Sequence, residues 1–404
     1  MERPRPCRWV AVAVAAATAF AAGRASAAEL PDEPRPVDYV RVCDAYGSGY
    51  LAIPGSSTCV SMFGYVQAEY MVFDSNRASR QPGWYSNKRP GTIFRGRVTT
   101  FIYTVTETEY GPVKSYYKIE YTEDNQSLDM EYKEAYIQAM GFTAGRTQSL
   151  YSYYTGNTFE DYYEPAWSDW QINVLGYTAD FGHGLTATVG LEDATTRDLA
   201  IVFGRKPGSK GNGYAPPLTP DAVANLALTA DWGSAQIMGA LHHLRAERGS
   251  AGAAIGYALG GGATFNLPFL GDGDSIAIEG NFTHGALSYA ANNPVGPGPG
   301  FIGADAMLVR GGRSLDLATA WSVGGGLTHN WTDKLSSVLE ASYLEVDLKR
   351  PRYGFTNIDV QANLIYEPVD KLQVGIEAEY KYIGRRRADA GRTLMTMFVI
   401  ERDF

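Results

Sequence analysis

The segment Lys371-Leu372-Gln373-Val374-Gly375-Ile376-Glu377-Ala378-Glu379-Tyr380-Lys381-Tyr382 changes character at almost every step. Leu372, Val374, Ile376, Ala378, Tyr380 and Tyr382 fall on one face, and Lys371, Gln373, Glu377, Glu379 and Lys381 on the other. Successive strand side chains point to opposite faces, so this period of two describes a β-strand with one apolar and one polar side.

The same period recurs outward from this segment. Ile358, Val360, Ala362, Leu364 and Tyr366 oppose Asn357, Asp359, Gln361 and Asn363. Val113, Tyr117, Ile119 and Tyr121 oppose Lys114, Lys118, Glu120 and Thr122, and Leu185, Ala187, Val189 and Leu191 oppose Thr186, Thr188 and Glu192. Strands that cross a bilayer need about 9–11 residues, against roughly 5–6 in soluble sheets, and most of these segments are of the longer kind. Strands are expected near 60–73, 92–108, 112–123, 130–139, 141–147, 170–180, 184–193 and 221–231, then near 234–246, 250–266, 274–290, 313–330, 334–346, 355–366, 371–382 and 392–404. That is an even number, sixteen. Tight turns at Tyr110-Gly111, Phe181-Gly182-His183, Trp232-Gly233, Trp331-Thr332-Asp333 and Pro368-Val369-Asp370 mostly alternate with long excursions near 74–91, 148–169, 194–220 and 291–312. Short turns on one rim and long loops on the other, with abundant Tyr and a terminal strand ending in Phe404, point to an all-β, sixteen-stranded antiparallel transmembrane β-barrel. An open sheet would leave backbone groups without partners in lipid, so closure is required.

The amino terminus agrees with export. Arg3, Arg5 and Arg8 precede an apolar run from Trp9 to Ala22 broken only by Thr18, and Ala25-Ser26-Ala27 supplies a small-residue cleavage pattern. Residues 1–27 therefore read as a signal peptide, residues 28–59 as a separate amino-terminal segment, and 60–404 as the barrel. Losing Arg3, Arg5, Arg8 and Arg24 against Glu2 takes the formal charge from −9 to −12. An acidic chain without a basic stripe is not a nucleic-acid binder. Beyond the signal, no stretch approaches the roughly 20 apolar residues of a membrane helix. Cys7 leaves with the signal, and Cys43 and Cys59, 16 positions apart, read as one disulfide. Two thiols without a nearby His do not make a metal site, and no cofactor is implied. His183, His242, His243, His284 and His329 show no acid–nucleophile partner in sequence, so no catalytic constellation is expected.

Val40 to Tyr50, with Ile53-Pro54-Gly55, Thr58-Cys59-Val60 and Gly64-Tyr65-Val66, resembles the amino-terminal signature of alphaproteobacterial porins of the Rhizobiales type. Ala135 to Gln138, Gly141 to Arg146 with Gln148-Ser149, and Tyr177-Thr178-Ala179 with Phe181-Gly182 and Leu191-Glu192-Asp193 are similar to later family motifs. Ser61 and Gln67 stand where that family usually carries basic residues. The resemblance implies a trimer of barrels in the outer membrane, each with a third loop folded into the lumen, passing small hydrophilic solutes and ions by diffusion. Readings of other kinds are a solute-specific channel, for sugars for instance, and a barrel acting mainly in structure or adhesion.

Thr147 to Gln171 would hold that third loop. It carries Glu160, Asp161, Glu164 and Asp169 among Tyr151, Tyr153, Tyr154, Tyr162 and Tyr163, with no Lys or Arg. Such acids make either a cation-favouring shelf in a pore or the solvated surface of an external loop. Arg95 and Arg97 lie on the face of their strand away from Phe94, Val98 and Ile102. With Lys114, Lys118 and Arg146 they are the basic candidates for the pore wall, because a guanidinium or ammonium facing lipid costs roughly 2–4 kcal/mol near the midplane. Arg385, Arg386 and Arg387 are expected in an external loop facing lipopolysaccharide phosphates, or as a solvated run.

Overall fold

Alternation turns each side chain over in succession, and the Val, Ile, Thr and aromatic content of these segments suits the pleated conformation. The computed structural model describes residues 43, 46–47, 49–75, 91–160, 162–203, 213–292, 294, 303–348, 354–385 and 390–404. Sixteen long strands form there: β1 (Thr58–Ser75), β2 (Thr92–Thr108), β3 (Gly111–Asp124), β4 (Ser127–Ala139), β5 (Phe142–Gln148), β6 (Gln171–Asp180), β7 (Leu185–Glu192), β8 (Asp221–Ala230), β9 (Gly233–Leu244), β10 (Ala254–Asn266), β11 (Ser275–His284), β12 (Thr319–Thr332), β13 (Leu335–Asp347), β14 (Phe355–Val369), β15 (Leu372–Arg385) and β16 (Gly391–Asp403). Each is antiparallel to the next. β1 pairs with β2 on one edge and with β16 on the other, Tyr65 lying opposite Asp403, so the sheet closes on itself.

At that seam the terminal Phe404 exchanges backbone hydrogen bonds with Gly64. A Cβ on Gly64 would stand 2.1 Å from the Thr99 carbonyl oxygen of β2 and 2.8 Å from the Phe404 ring tip, so glycine is needed there. Leu51–Ala52 adds a short strand against Cys59 and Val60, and Cys43 and Cys59 are joined by the expected disulfide.

The two faces are reversed relative to a soluble protein. On β15, Ile376 is 41% exposed while Glu379 is fully buried, and Glu377 and Lys381 are buried beside it. Phe94, Leu128, Met62, Ile237 and Leu259 likewise stand exposed on the outside. Burying apolar area in water drives ordinary folding, so an exterior of this kind is built for a hydrocarbon surround.

Three expected strands differ in extent. The one expected at 250–266 begins at Ala254, and the one at 274–290 stops at His284, ahead of a 3-10 turn over Leu287–Tyr289. The segment expected at 313–330 divides. Ser314–Leu317 joins Ala306–Val309 and Ile201–Phe203 in a separate three-stranded sheet, and the barrel strand starts at Thr319. In the last two cases the apolar residues Leu287, Tyr289, Leu315 and Leu317 continue the strand-like composition, but they pack in clusters with wall residues such as Val223, Met238, Leu244 and Leu344 instead of extending the barrel strand. The β3–β4 connection, on the long-loop rim, is only Asn125-Gln126, both at positive φ, a conformation that suits a two-residue hairpin. Residues 1–27, expected as a signal peptide, Asp161, Arg386 and Arg387, and parts of the 74–91, 194–220 and 291–312 excursions lie outside the described residues.

Candidate functional site

An irregular loop leaves backbone N–H groups that must find acceptors elsewhere. Residues 149–170, between β5 and β6, find them on the polar face of the opposite wall. Tyr154 N–H donates to Glu279 of β11 at 2.8 Å, and Asn157 N–H donates to Glu340 of β13 at 2.5 Å. Phe159 and Tyr163 N–H donate to Glu377 and Glu379 of β15 at 2.8 and 2.9 Å. Lys381 Nζ returns two bonds to the carbonyl oxygens of Tyr163 and Glu164, at 3.0 and 2.7 Å. Charge-assisted bonds of this kind are about twice as strong as neutral ones.

Glycine makes room for the loop's rings. A Cβ on Gly262 would stand 2.4 Å from Tyr153, one on Gly324 would stand 2.8 Å from Trp167, and one on Gly326 would stand 2.1 Å from the Tyr154 hydroxyl. With Gly260, where a Cβ would stand 2.7 Å from the Tyr151 hydroxyl, Gly262, Gly324 and Gly326 thus form a floor under the aromatic side chains.

Both stems of the loop are held by one residue. Arg197, in the short helix Ala194–Arg197, is fully buried and donates to Ser149 Oγ at 2.5 Å and Ser168 Oγ at 3.2 Å. Glu192 lies 3.5 Å from it, and its guanidinium carbon sits 4.0 Å from the Tyr289 ring centroid. Nothing local in the sequence marks this arginine.

The acidic and basic candidates meet directly. Glu160 lies 3.0 Å from Arg95 and 2.5 Å from Arg97. Arg95 also pairs with Asp124 at 2.6 Å and Glu69 at 3.5 Å, and Arg97 approaches Glu69 and Glu120 at 3.6 and 3.7 Å. Burial pushes the Glu160 carboxyl up, but the Arg97 and Arg95 charges and their hydrogen bonds outweigh it and hold it below its ordinary value. Asp169 accepts from Gln148 Nε2 at 2.8 Å. Burial raises its pKa, and that hydrogen bond opposes the rise only in part.

Sequence alternation missed Lys133. In β4 the polar parity changes at Lys133-Glu134. Tyr132 pairs with Ile119 and Glu134 with Lys118, leaving Lys133 as the extra residue of a β-bulge. A bulge lets two consecutive side chains share a face, and Lys133 Nζ pairs with Glu131 at 2.6 Å and Glu120 at 3.4 Å. Two adjacent charges inside an alternating strand were the available signal. Arg146 donates through Nε to the carbonyl oxygens of Tyr132 and Lys133 at this bulge, at 3.2 and 3.0 Å.

Arg97, Lys133 and Arg146 border an open cavity of about 370 Å³ together with Glu120, Glu131, Glu160, Glu164 and Asp169. Lys118 and Lys114 do not border it. They share the inner face of β3 lower down, Lys118 Nζ standing 5.2 Å over the Phe101 ring and Lys114 opposite Gln138. The histidines are not isolated in space: His242 lies 2.9 Å from Asp221 and His329 lies 2.5 Å from Asp274.

Residues 28–402 match the family described as "Porin subfamily". Porin Omp2b of Brucella canis is 32% identical over 236 residues, covering 54% of this chain and 61% of that protein. Porin Omp2b of Brucella suis is 31% identical over 239 residues, covering 54% and 62%. The match thus spans about three fifths of these relatives' length. Among solved structures, the outer membrane channel DcaP of Acinetobacter baumannii superposes with a TM-score of 0.70 at 14% identity, over 86% of this chain and 98% of that one. Salmonella typhi OmpF superposes at 0.53 and 10% identity, over 87% and 99%. These likenesses carry the barrel fold. With a family match over nearly the whole chain and a closed, inside-out barrel of sixteen antiparallel strands, the chain belongs to the alphaproteobacterial porin family of the outer membrane.

Proposed function

We propose that this protein is a passive, water-filled channel for small hydrophilic solutes and ions, and not an enzyme. The observation that carries the reading is the cavity beside the 149–170 loop, ringed by charged side chains on the inner face of a barrel with an apolar outside. In this reading the loop narrows the conducting path. The cavity lining holds Arg97, Lys133 and Arg146 against five carboxylates, so the path favours cations modestly. Low-dielectric walls focus that excess, and salt screens it over about 30 Å at 0.01 M but only about 3 Å at 1 M.

The purified protein in a planar bilayer should show discrete conductance steps, with a reversal potential under a salt gradient on the cation side in dilute salt that fades in concentrated salt. Absence of any conductance would sink the channel reading. The remaining parts of the proposal are a homotrimer, outer loops against lipopolysaccharide, and removal of residues 1–27 on export. They are tested by mass in several non-denaturing detergents, by lipopolysaccharide retention and by the amino-terminal sequence of the mature protein.

A further inference from the structure

The inner wall of β1–β4 is graded along the barrel axis. Below an apolar pair, Met71 and Ile93, nearest the long loops, the cross-strand rows are charged and polar: Glu69–Arg95–Asp124, then Gln67–Arg97–Thr122. Toward the short-turn rim the register brings rings together, Phe63 opposite Phe101 and then Ser61–Tyr103–Tyr116–Tyr136. Phe63 is nearly parallel to both Phe101 and Tyr103, at 12° and 8°, with centroids 5.0 and 5.6 Å away. The run continues through Tyr103–Tyr116 at 4.3 Å and Tyr116–Tyr136 at 5.2 Å. So many rings inside a lumen cost hydration unless something covers them. Tyr46 and Tyr50, from the segment before β1, complete a cavity of about 240 Å³ over Tyr103, Tyr116 and Tyr136.

Polar groups flank the rings on both sides. One row toward the constriction lie Lys118 and Glu134, opposite each other. One row toward the rim lie Lys114 and Gln138, with Gln138 Nε2 donating to Thr143 Oγ1 at 3.2 Å. A flat solute resting on the tyrosines would therefore meet ring faces beneath it and donors and acceptors of both charges at its edges. A purely aromatic or aliphatic solute would shut water away from those edge groups without offering hydrogen bonds in its place, which is costly. A charged solute meets Lys and Glu together. A pyranose ring satisfies the site, since its C–H faces pack on the negative faces of aromatic rings and its equatorial hydroxyls point outward in the ring plane.

We propose that this aromatic wall is a low-affinity binding track for neutral sugars of one or two pyranose rings, placed between the constriction and the short-turn rim. The proposal rests on the channel reading and names a class of solute for it. Maltose added to the bilayer should produce a saturable fall in current with excess noise. Sorbitol, an open-chain polyol, and a polyethylene glycol of matching mass should reduce current only in proportion to bulk conductivity. The Tyr103→Ala/Tyr136→Ala pair should weaken the apparent maltose affinity by about tenfold, as expected for lost ring contacts, while Tyr136→Phe, which keeps the ring, retains it. Saturation-transfer NMR on the detergent-solubilised protein gives a readout independent of conduction, and heat-modifiable mobility checks that each variant folds. Normal conductance with maltose no different from sorbitol overturns the sugar track and leaves the channel standing. Saturable block by indole but not by maltose overturns it equally. Absence of conductance overturns the channel reading and this proposal with it.

Discussion

Glu160 and Asp169 are both loop carboxylates, yet their surroundings give them opposite tendencies. Glu160 is held below its ordinary value of 4.5 by two guanidiniums, and Asp169 is raised above 3.8 by burial. On acidification Asp169 therefore takes up its proton more readily than an ordinary aspartate, while Glu160 keeps its charge at a pH where an ordinary glutamate would be losing it. Stability linked to the Glu160 pairing is accordingly present above that value and lost only as pH falls through the lowered one. Reversal potentials across a pH series should show cation preference weakening on acidification, with a component that Asp169→Asn removes. An unchanged titration in that variant would assign the component to another group. Glu160→Gln should behave differently, because it leaves Arg95 and Arg97 short of a partner in a site of low exposure. A loss of about 1–3 kcal/mol in loop stability is expected, read as increased open-channel noise and faster proteolysis within the loop.

At the scale of elements, the loop is shaped as much by what the wall lacks as by what it carries. Gly326→Ala places a Cβ where the Tyr154 hydroxyl now meets Glu340 at 2.7 Å. The loop must shift, with an overpacking cost of about 1–3 kcal/mol. Single-channel conductance and its variance should both change, and an identical trace would mean that the loop does not border the conducting path. The bulge in β4 offers a second test. Deleting Lys133 leaves Tyr132 opposite Ile119 and Glu134 opposite Lys118, so the ladder becomes regular while the cavity loses one cation. Barrel assembly should survive and cation preference should rise. A rise in anion preference would contradict the charge count on which the selectivity argument stands.

For the molecule as a whole, closure is the dominant constraint. Each strand is hydrogen-bonded on both sides, so the Cys43–Cys59 bridge acts on the amino-terminal segment and not on the barrel's integrity. Chain-entropy reasoning assigns a bridge over this separation about 3 kcal/mol. The double variant Cys43→Ser/Cys59→Ser should still give a heat-modifiable barrel, with the loss confined to protection of residues near Tyr46 and Tyr50 in hydrogen exchange. Failure to form any barrel would mean that the bridge is needed during assembly.

Period-two alternation by itself determined the sixteen strands, their inward and outward faces and most of the turns, because a side chain's face in a strand depends only on its own position and that of its neighbours. It placed Arg95 and Arg97 inside for the same reason. The acids of the loop were visible as composition, but their partners were not. Pairing of Glu160 with Arg95 and Arg97, the hold of Arg197 on Ser149 and Ser168, and the carboxylate row from Glu279 to Glu379 join residues far apart in the chain. Local periodicity carries no information on such separations, which arise only when the sheet closes and brings distant strands around one lumen. The same limit explains Lys133, whose direction depends on a bulge set by pairing with β3, and the division of the 313–330 segment, where Ser314–Leu317 pairs with Ala306–Val309 in a separate sheet instead of extending the barrel strand.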